Sequence, residues 1–121
     1  MKLRIRGNSI RLRLTQTEVQ NLKEQQVVGD SCEFPGGDSL GYRLKAGMDF
    51  SVDLNGNKID ISVPQEIIHS WTESEDLSIE EELELRDGNH LRLLIEKDLQ
   101  CLTIRSGEDE SDAFPNPKEQ C

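Results

Sequence analysis

Basic side chains near the start of the chain have the types and the spacing that anion binding requires. Residues 2–14, KLRIRGNSIRLRL, carry a cation at every second position on each side of Gly7-Asn8. A period of two is typical of a β-strand and places alternate side chains on the same face. The cations of this face are Lys2, Arg4, Arg6, Arg11 and Arg13. Because a guanidinium group can donate two parallel hydrogen bonds to one phosphate or carboxylate, we predict an anion-binding site formed by Arg4, Arg6, Arg11 and Arg13.

The same basic face has a structural interpretation. Like charges that lie opposite one another on a sheet repel by about a few tenths of a kcal/mol per pair, so the arginines need anionic partners. Glu80, Glu82 and Glu84 alternate on one face of a later predicted strand and could supply them, as could the acidic residues near the C-terminus. The sequence leaves both interpretations open.

The glutamates also support an alternative function. The run Glu82-x-Glu84-x-Arg86 resembles the E-x-E-x-K signature of the triphosphate-tunnel enzymes, whose glutamates serve a metal ion on the inside of an antiparallel barrel. In those enzymes the signature lies on the first strand, whereas the first strand here, residues 3–6, contains no glutamate. Under this hypothesis the protein processes a phosphate ester or triphosphate, with Glu80, Glu82 and Glu84 as candidate Mg²⁺ ligands.

Composition restricts the partners that the chain can bind. The formal net charge of −10 argues against unspecific binding to nucleic acid or to an anionic membrane. No apolar run approaches the roughly 18 residues of a membrane span, and no apolar segment of a signal peptide follows the N-terminal cations. Three cysteines without a C-x-x-C pair are typical of a reducing compartment, so we expect a cytoplasmic protein.

Local patterns predict short hairpins with two helices between them. Gly7-Asn8 and Asn55-Gly56 each separate two alternating runs, which is the signal of a two-residue hairpin turn. In the first hairpin this turn sets Ile5 opposite Ile10, Leu3 opposite Leu12, Arg4 opposite Arg11 and Lys2 opposite Arg13. Thr15 and Glu18 form a capping box at the start of a helix that should end near Gln26. A second helix begins at Pro64, and Ile67, Ile68 and Trp71 can share its buried face.

These elements predict an α+β fold dominated by strands. We expect an antiparallel meander or a partly closed β-barrel of about eight strands with two short helices, because closure removes exposed sheet edges. Residues 1–105 should form a single globular domain, and 106–121 an acidic, proline-containing tail that is partly docked through Phe114 or disordered. No internal repeat is apparent in the sequence.

The two ends of the chain resemble an uncharacterised family of small bacterial proteins. The N-terminal residues MKLRIRGNSIRLRL fit the pattern MK[IL]RI[KR]xNS[IL]RxRL, and the C-terminal residues EKDLQCLTIR and DAFPNP fit EKD[FL]xCLxxR followed by DA[FY]PNP. The resemblance implies a bacterial, cytoplasmic protein of similar length and brings no activity with it. We therefore expect a non-catalytic binding protein that recognises an anionic ligand or a partner, with no catalytic residue and no cofactor.

Overall fold

Residues 1–99 and 112–115 are described by the structure, which is a computed structural model. The described elements are β1 (Lys2–Ile5), β2 (Ser9–Leu14), α1 (Gln16–Gln25), β3 (Val27–Glu33), β4 (Ser39–Gly47), β5 (Ser51–Asn55), β6 (Lys58–Pro64), α2 (Gln65–Glu73), β7 (Ser78–Glu84) and β8 (His90–Lys97). The end of the predicted domain, residues 100–105, and most of the predicted tail lie outside the described residues.

The first hairpin has the register that the sequence predicts. Gly7 adopts the left-handed region at φ 55°, which glycine reaches without steric cost, and Arg6 and Ser9 exchange backbone hydrogen bonds of 3.0 and 3.1 Å. All four predicted pairs are confirmed: Ile5 with Ile10, Leu3 with Leu12, Arg4 with Arg11 and Lys2 with Arg13.

The first helix is also capped as predicted. The backbone N–H of Glu18 donates to the Thr15 hydroxyl, and the Glu18 carboxylate accepts from the Thr15 backbone N–H at 3.0 Å. These two bonds satisfy donors that the first turn of a helix otherwise leaves unpaired. The helix ends at Gln25, and Gln26 closes it with φ 66°.

The eight described strands form two four-stranded sheets. The first sheet has the order β1-β2-β8-β7 and the second the order β3-β4-β6-β5. Within each sheet two antiparallel hairpins are joined by a parallel pair, β2 with β8 in the first and β4 with β6 in the second. The α+β class and the strand number are confirmed, but the described strands do not form the meander or partly closed barrel that we expected. Local turn signals identify hairpins and carry no information on which hairpins become neighbours.

One hydrophobic core takes side chains from both sheets and both helices. Its fully buried members include Leu12 and Leu14 from β2, Ile95 from β8, Leu22 from α1 and Trp71 from α2. Ile68 and Trp71 bury the inner face of α2 as predicted. The same prediction was wrong for Ile67, which is 36% exposed. It lies one residue before Ile68, a rotation of about 100° around the helix axis.

The chain contains an internal repeat, so the expectation of none was wrong. The first repeat runs from β1 to β4 and the second from β5 to β8, each in the order strand, strand, helix, strand, strand. Register is reproduced as well, since Leu3 lies opposite Leu12 as Val52 lies opposite Ile61. The repeats exchange hairpins, because each sheet contains the first hairpin of one repeat and the second hairpin of the other.

Sequence identity between the two repeats is sparse, which is why inspection of the sequence did not find the duplication. Gly7-Asn8 corresponds to Gly56-Asn57, and both glycines have positive φ. The apolar positions are kept as a class, as in Val28 and Ile79, which are both buried. A repeat preserved as turns and apolar positions differs little from the pattern of any series of hairpins.

Residues 112–115 contact the first helix and the end of the last described strand. The backbone N–H of Phe114 donates to the Asp98 carbonyl at 2.6 Å, and that of Gln16 donates to the Asp112 carbonyl at 3.0 Å. The buried ammonium group of Lys97 lies 5.7 Å from the centre of the Phe114 ring and 5.3 Å from that of Trp71. Burial lowers the pKa of Lys97, while the charges of Asp76 and Glu75 raise it.

Candidate anion-binding site

Arginine side chains surround a shallow groove on the outer face of the first sheet. We call it the basic groove, and its volume is about 230 Å³. The described residues that line it are Arg4, Arg6, Ser9, Arg11, Arg92 and Leu94. None of these carries a carboxylate, in a protein whose net charge is −10.

Three neighbouring strands position the basic groove. In the first hairpin Arg4 lies directly opposite Arg11, as the alternating sequence predicts. The parallel pairing of β2 with β8 then sets Ser9 beside Arg92 and Arg11 beside Leu94. Outward side chains of adjacent strands are about 5 Å apart, so these guanidinium groups share one small area of surface.

A glutamate from β8 neutralises part of the predicted basic face. The carboxylate of Glu96 accepts a hydrogen bond of 2.7 Å from Nε of Arg13 and lies 3.3 Å from Nε of Arg11. Arg13 does not line the basic groove, so the structure separates it from the other three predicted ligand residues. Internal pairing therefore accounts for Arg13 and for part of the charge of Arg11.

The other three cations of the groove have no such partner in the part of the chain that the structure describes. No ion pair joins Arg4, Arg6 or Arg92 to a carboxylate within residues 1–99 and 112–115. All three side chains are exposed. Arg4 and Arg11 are also like charges in directly opposite positions, an arrangement that disfavours folding by a few tenths of a kcal/mol, as an order of magnitude. The groove thus holds a local excess of positive charge.

Glu80, Glu82 and Glu84 do not pair with the predicted arginines. They lie on β7, which is separated from β1 and β2 by β8 in the described sheet. Glu82 is opposite Arg92 in register, yet the structure forms no ion pair between them. Among the described residues no group of three or more histidine, cysteine, aspartate or glutamate side chains is close enough to hold a metal ion.

The second sheet carries the equivalent groove with different chemistry. In the parallel register of the second sheet, Asp60 occupies the position on β6 that Arg11 occupies on β2. Gly41 likewise occupies the position on β4 that Arg92 occupies on β8. Arg43 donates a hydrogen bond to Asp60, and this bond lowers the pKa of the Asp60 carboxyl. In the second groove Arg43 and Asp60 therefore neutralise each other. In the first groove every charged residue of the described lining is an arginine.

Comparison with protein families gives a match over most of the chain. A model described as a family of unknown function, DUF7009, matches residues 1–118. The chain belongs to DUF7009. No curated protein and no solved structure matches the chain. We therefore infer the function of this member of DUF7009 from the geometry of the basic groove.

Sequence reasoning found Arg4, Arg6 and Arg11 of the basic groove in this member of DUF7009 and missed Arg92 and Ser9. Arg92 lies far from the first hairpin along the chain and joins the groove only through the parallel pairing of β2 with β8. Alternation in residues 90–97 indicates that its side chain faces outward but does not indicate its neighbour.

Neither described helix is long and apolar enough to cross a membrane.

Proposed function

We propose that the protein is a non-catalytic binding module that holds a phosphate-bearing ligand in the basic groove. The observation that carries this proposal is the group of Arg4, Arg6 and Arg92, three exposed cations without a carboxylate partner in the described structure. A phosphate group would relieve the repulsion between these cations while it accepts their hydrogen bonds. Arginine is suited to this task because its planar donors match two phosphate oxygens at once.

The size of the groove favours a small anionic group over an enclosed substrate. Pockets that bury a drug-sized ligand usually have about 300–1,000 Å³, and the basic groove is smaller, at about 230 Å³. A phosphate or a short polyphosphate can contact all four guanidinium groups there. The remainder of a larger ligand would stay in solvent, so the ligand class includes phosphorylated small molecules and phosphorylated groups of larger molecules.

The alternative function, a Mg²⁺-dependent enzyme acting on a phosphate ester or triphosphate, receives less support. Such an enzyme needs carboxylates to converge with the arginines around the reacting phosphate. No carboxylate lines the basic groove among the described residues, and Glu80, Glu82 and Glu84 lie along an edge strand. We therefore favour binding without turnover.

The proposal predicts that inorganic tripolyphosphate stabilises the protein against heat and that Arg4→Ala/Arg92→Ala removes this stabilisation. A ligand at about 100 times its Kd adds about 2.7 kcal/mol to the free energy of unfolding, which a thermal-shift assay detects as several degrees. Arg43→Ala is the matched control, because it removes an arginine from the equivalent groove of the second sheet.

A tripolyphosphate-dependent shift in wild type and in Arg43→Ala, without one in the double variant, supports the proposal. If the anion does not shift wild type, or shifts the double variant equally, the basic groove is not a phosphate site. The protein is also incubated with tripolyphosphate and Mg²⁺, and inorganic phosphate is measured. Release of inorganic phosphate would support the Mg²⁺-dependent enzyme instead of the binding module.

A further inference from the structure

A second groove lies between α2 and β7, and its chemistry is the opposite of that of the basic groove. We call it the acidic groove, and its volume is about 340 Å³. Its apolar lining consists of Phe50, Ile67, Trp71 and Ile79. Four carboxylates also line it: Glu66, Asp76, Glu80 and Glu81. No lysine or arginine is among the described residues that line it.

The internal repeat shows how this groove arises. In the first repeat a single residue, Gln26, connects α1 to β3, and the helix packs directly against that strand. In the second repeat residues 74–77 connect α2 to β7. The longer connection leaves space where the first repeat has a packed contact, and Ile67 is left 36% exposed at that space.

Trp71 supplies a buried hydrogen-bond donor without a partner. Its side chain is only 2% exposed, and its indole N–H has no acceptor in the part of the chain that the structure describes. A buried donor left unpaired costs about 1–3 kcal/mol, so buried indole groups usually find an acceptor. Trp71 also lines the acidic groove, so a ligand bound there would lie against this side chain.

The equivalent place in the first repeat is occupied by a cation. There the Met1 ammonium group forms ion pairs with Glu18 and, at 3.4 Å, with Asp30. Asp30 lies opposite Tyr42, and Glu81 lies opposite Leu93. Tyr42 and Leu93 occupy equivalent positions in the two repeats, so Asp30 corresponds to Glu81. The second repeat keeps this carboxylate and adds others, and no lysine or arginine among its described residues lines the groove, although Lys97 lies 5.3 Å from the centre of the Trp71 ring.

Among the described strands, the one beside the groove has a free edge. β7 pairs only with β8 among the described strands and lies at the end of the first sheet. An edge strand presents unpaired N–H and C=O groups to which an extended peptide can add as a further strand. Such a peptide places alternate side chains on one side, where the apolar lining of the groove lies, and its carbonyl groups supply acceptors.

We propose that the acidic groove binds an extended basic peptide segment of a protein partner, with apolar side chains on Ile67 and Trp71 and lysine or arginine side chains at the surrounding carboxylates. This binding is independent of the basic groove and of the phosphate ligand. Asp76 already interacts with Lys97. Charge complementarity selects a basic occupant, since an apolar segment alone would leave Glu66, Glu80 and Glu81 without a cation and an acidic segment would be repelled.

The test uses an acetylated and amidated peptide, Lys-Val-Lys-Val-Lys-Val-Lys-Val-Lys, titrated into the full chain. The chain has one tryptophan, and the peptide has none, so a change in intrinsic tryptophan emission reports binding at Trp71 directly. We expect a saturable change in emission with the Lys-Val peptide and none with Lys-Ser-Lys-Ser-Lys-Ser-Lys-Ser-Lys. Equal changes with both peptides would mean unspecific attraction to an acidic protein and would overturn the proposal.

Two substitutions, at the exposed Ile67 and the half-buried Glu81, then locate the site. Ile67→Asp removes apolar contact, Glu81→Lys removes charge complementarity, and each should weaken binding at least tenfold. Asp53→Lys makes the same change of charge at an exposed residue of β5, in the other described sheet, so it should leave affinity within about twofold at 0.15 M salt, where exposed charges are screened over about 8 Å. No emission change in wild type, or equal losses in Glu81→Lys and Asp53→Lys, would overturn the acidic groove as a peptide site.

Discussion

Replacing Leu12 with alanine is expected to lower the free energy of unfolding by about 3 kcal/mol. Leu12 is 0% exposed, and it lies opposite Leu3 on one side and Ile95 on the other. The substitution leaves a cavity where β1, β2 and β8 meet, at the centre of the sheet that carries the basic groove. A loss of this size lowers the midpoint of thermal unfolding by roughly 10 °C in a domain of this length.

Leu54→Ala is the matched control for this prediction. It removes the same atoms from a strand of the second sheet, but Leu54 is 71% exposed, so we expect a loss below about 1 kcal/mol. Urea denaturation of both variants measures the difference. Equal losses for Leu12→Ala and Leu54→Ala would mean that the packing of the first sheet is not as described.

Arg4→Glu is expected to weaken tripolyphosphate binding more than tenfold and, in the absence of ligand, to stabilise the protein slightly. The variant places a carboxylate in the basic groove, which repels the phosphate. It also replaces the like-charge pair of Arg4 and Arg11 with an opposite-charge pair in the same register position. Cross-strand pairs of opposite charge contribute roughly 0.2–1 kcal/mol, so the thermal midpoint without ligand should rise by a few degrees at most.

Arg13→Glu separates this effect from a general change of charge. Arg13 lies on β2, on the same face of the sheet as Arg4 but outside the groove, and it donates a hydrogen bond to Glu96. Its reversal should reduce stability while it retains most of the affinity for tripolyphosphate at 0.15 M salt. Calorimetric titration gives the affinities. If Arg4→Glu lowers stability and leaves affinity unchanged, Arg4 has a structural role and the binding proposal fails.

The parts of the fold that could be predicted from the sequence depend on neighbouring residues. The turn at Gly7-Asn8 fixes the register of its hairpin because only two residues separate the strands, and the Thr15–Glu18 capping box is equally local. The parallel pairing of β2 with β8 joins residues far apart in the chain, and nothing in either strand specifies its partner. The meander expectation failed at this step.

The residues of the candidate site also differ in whether local sequence predicts them. Arg4, Arg6 and Arg11 follow from the alternation within one hairpin, whereas Arg92 requires knowledge of the strand order. The separation of Arg13 could not be foreseen either, since its partner Glu96 belongs to the last described strand. The exchange of hairpins between the two repeats thus decides which cations have no carboxylate partner among the described residues.

The duplication offers a physical account of how the two grooves differ. Equivalent positions on the two sheets hold Arg11 and Asp60. Arg11 shares the carboxylate of Glu96 with Arg13, whereas Asp60 pairs with Arg43. The same strand order and register therefore carry a basic groove on one sheet and a groove with an internal ion pair on the other. The second groove serves as an internal control in any binding experiment on the first.

The most direct test of phosphate binding in the basic groove is a titration of the ¹⁵N-labelled protein with tripolyphosphate, followed by ¹H–¹⁵N spectra that include the arginine Nε–H signals. We predict saturable shifts at Nε of Arg4, Arg6 and Arg92 and at the backbone amide of Ser9, with little change at Arg43. Shifts confined to Arg43 and its neighbours on the second sheet, or no shifts at millimolar tripolyphosphate, would contradict the assignment of the basic groove as the functional site.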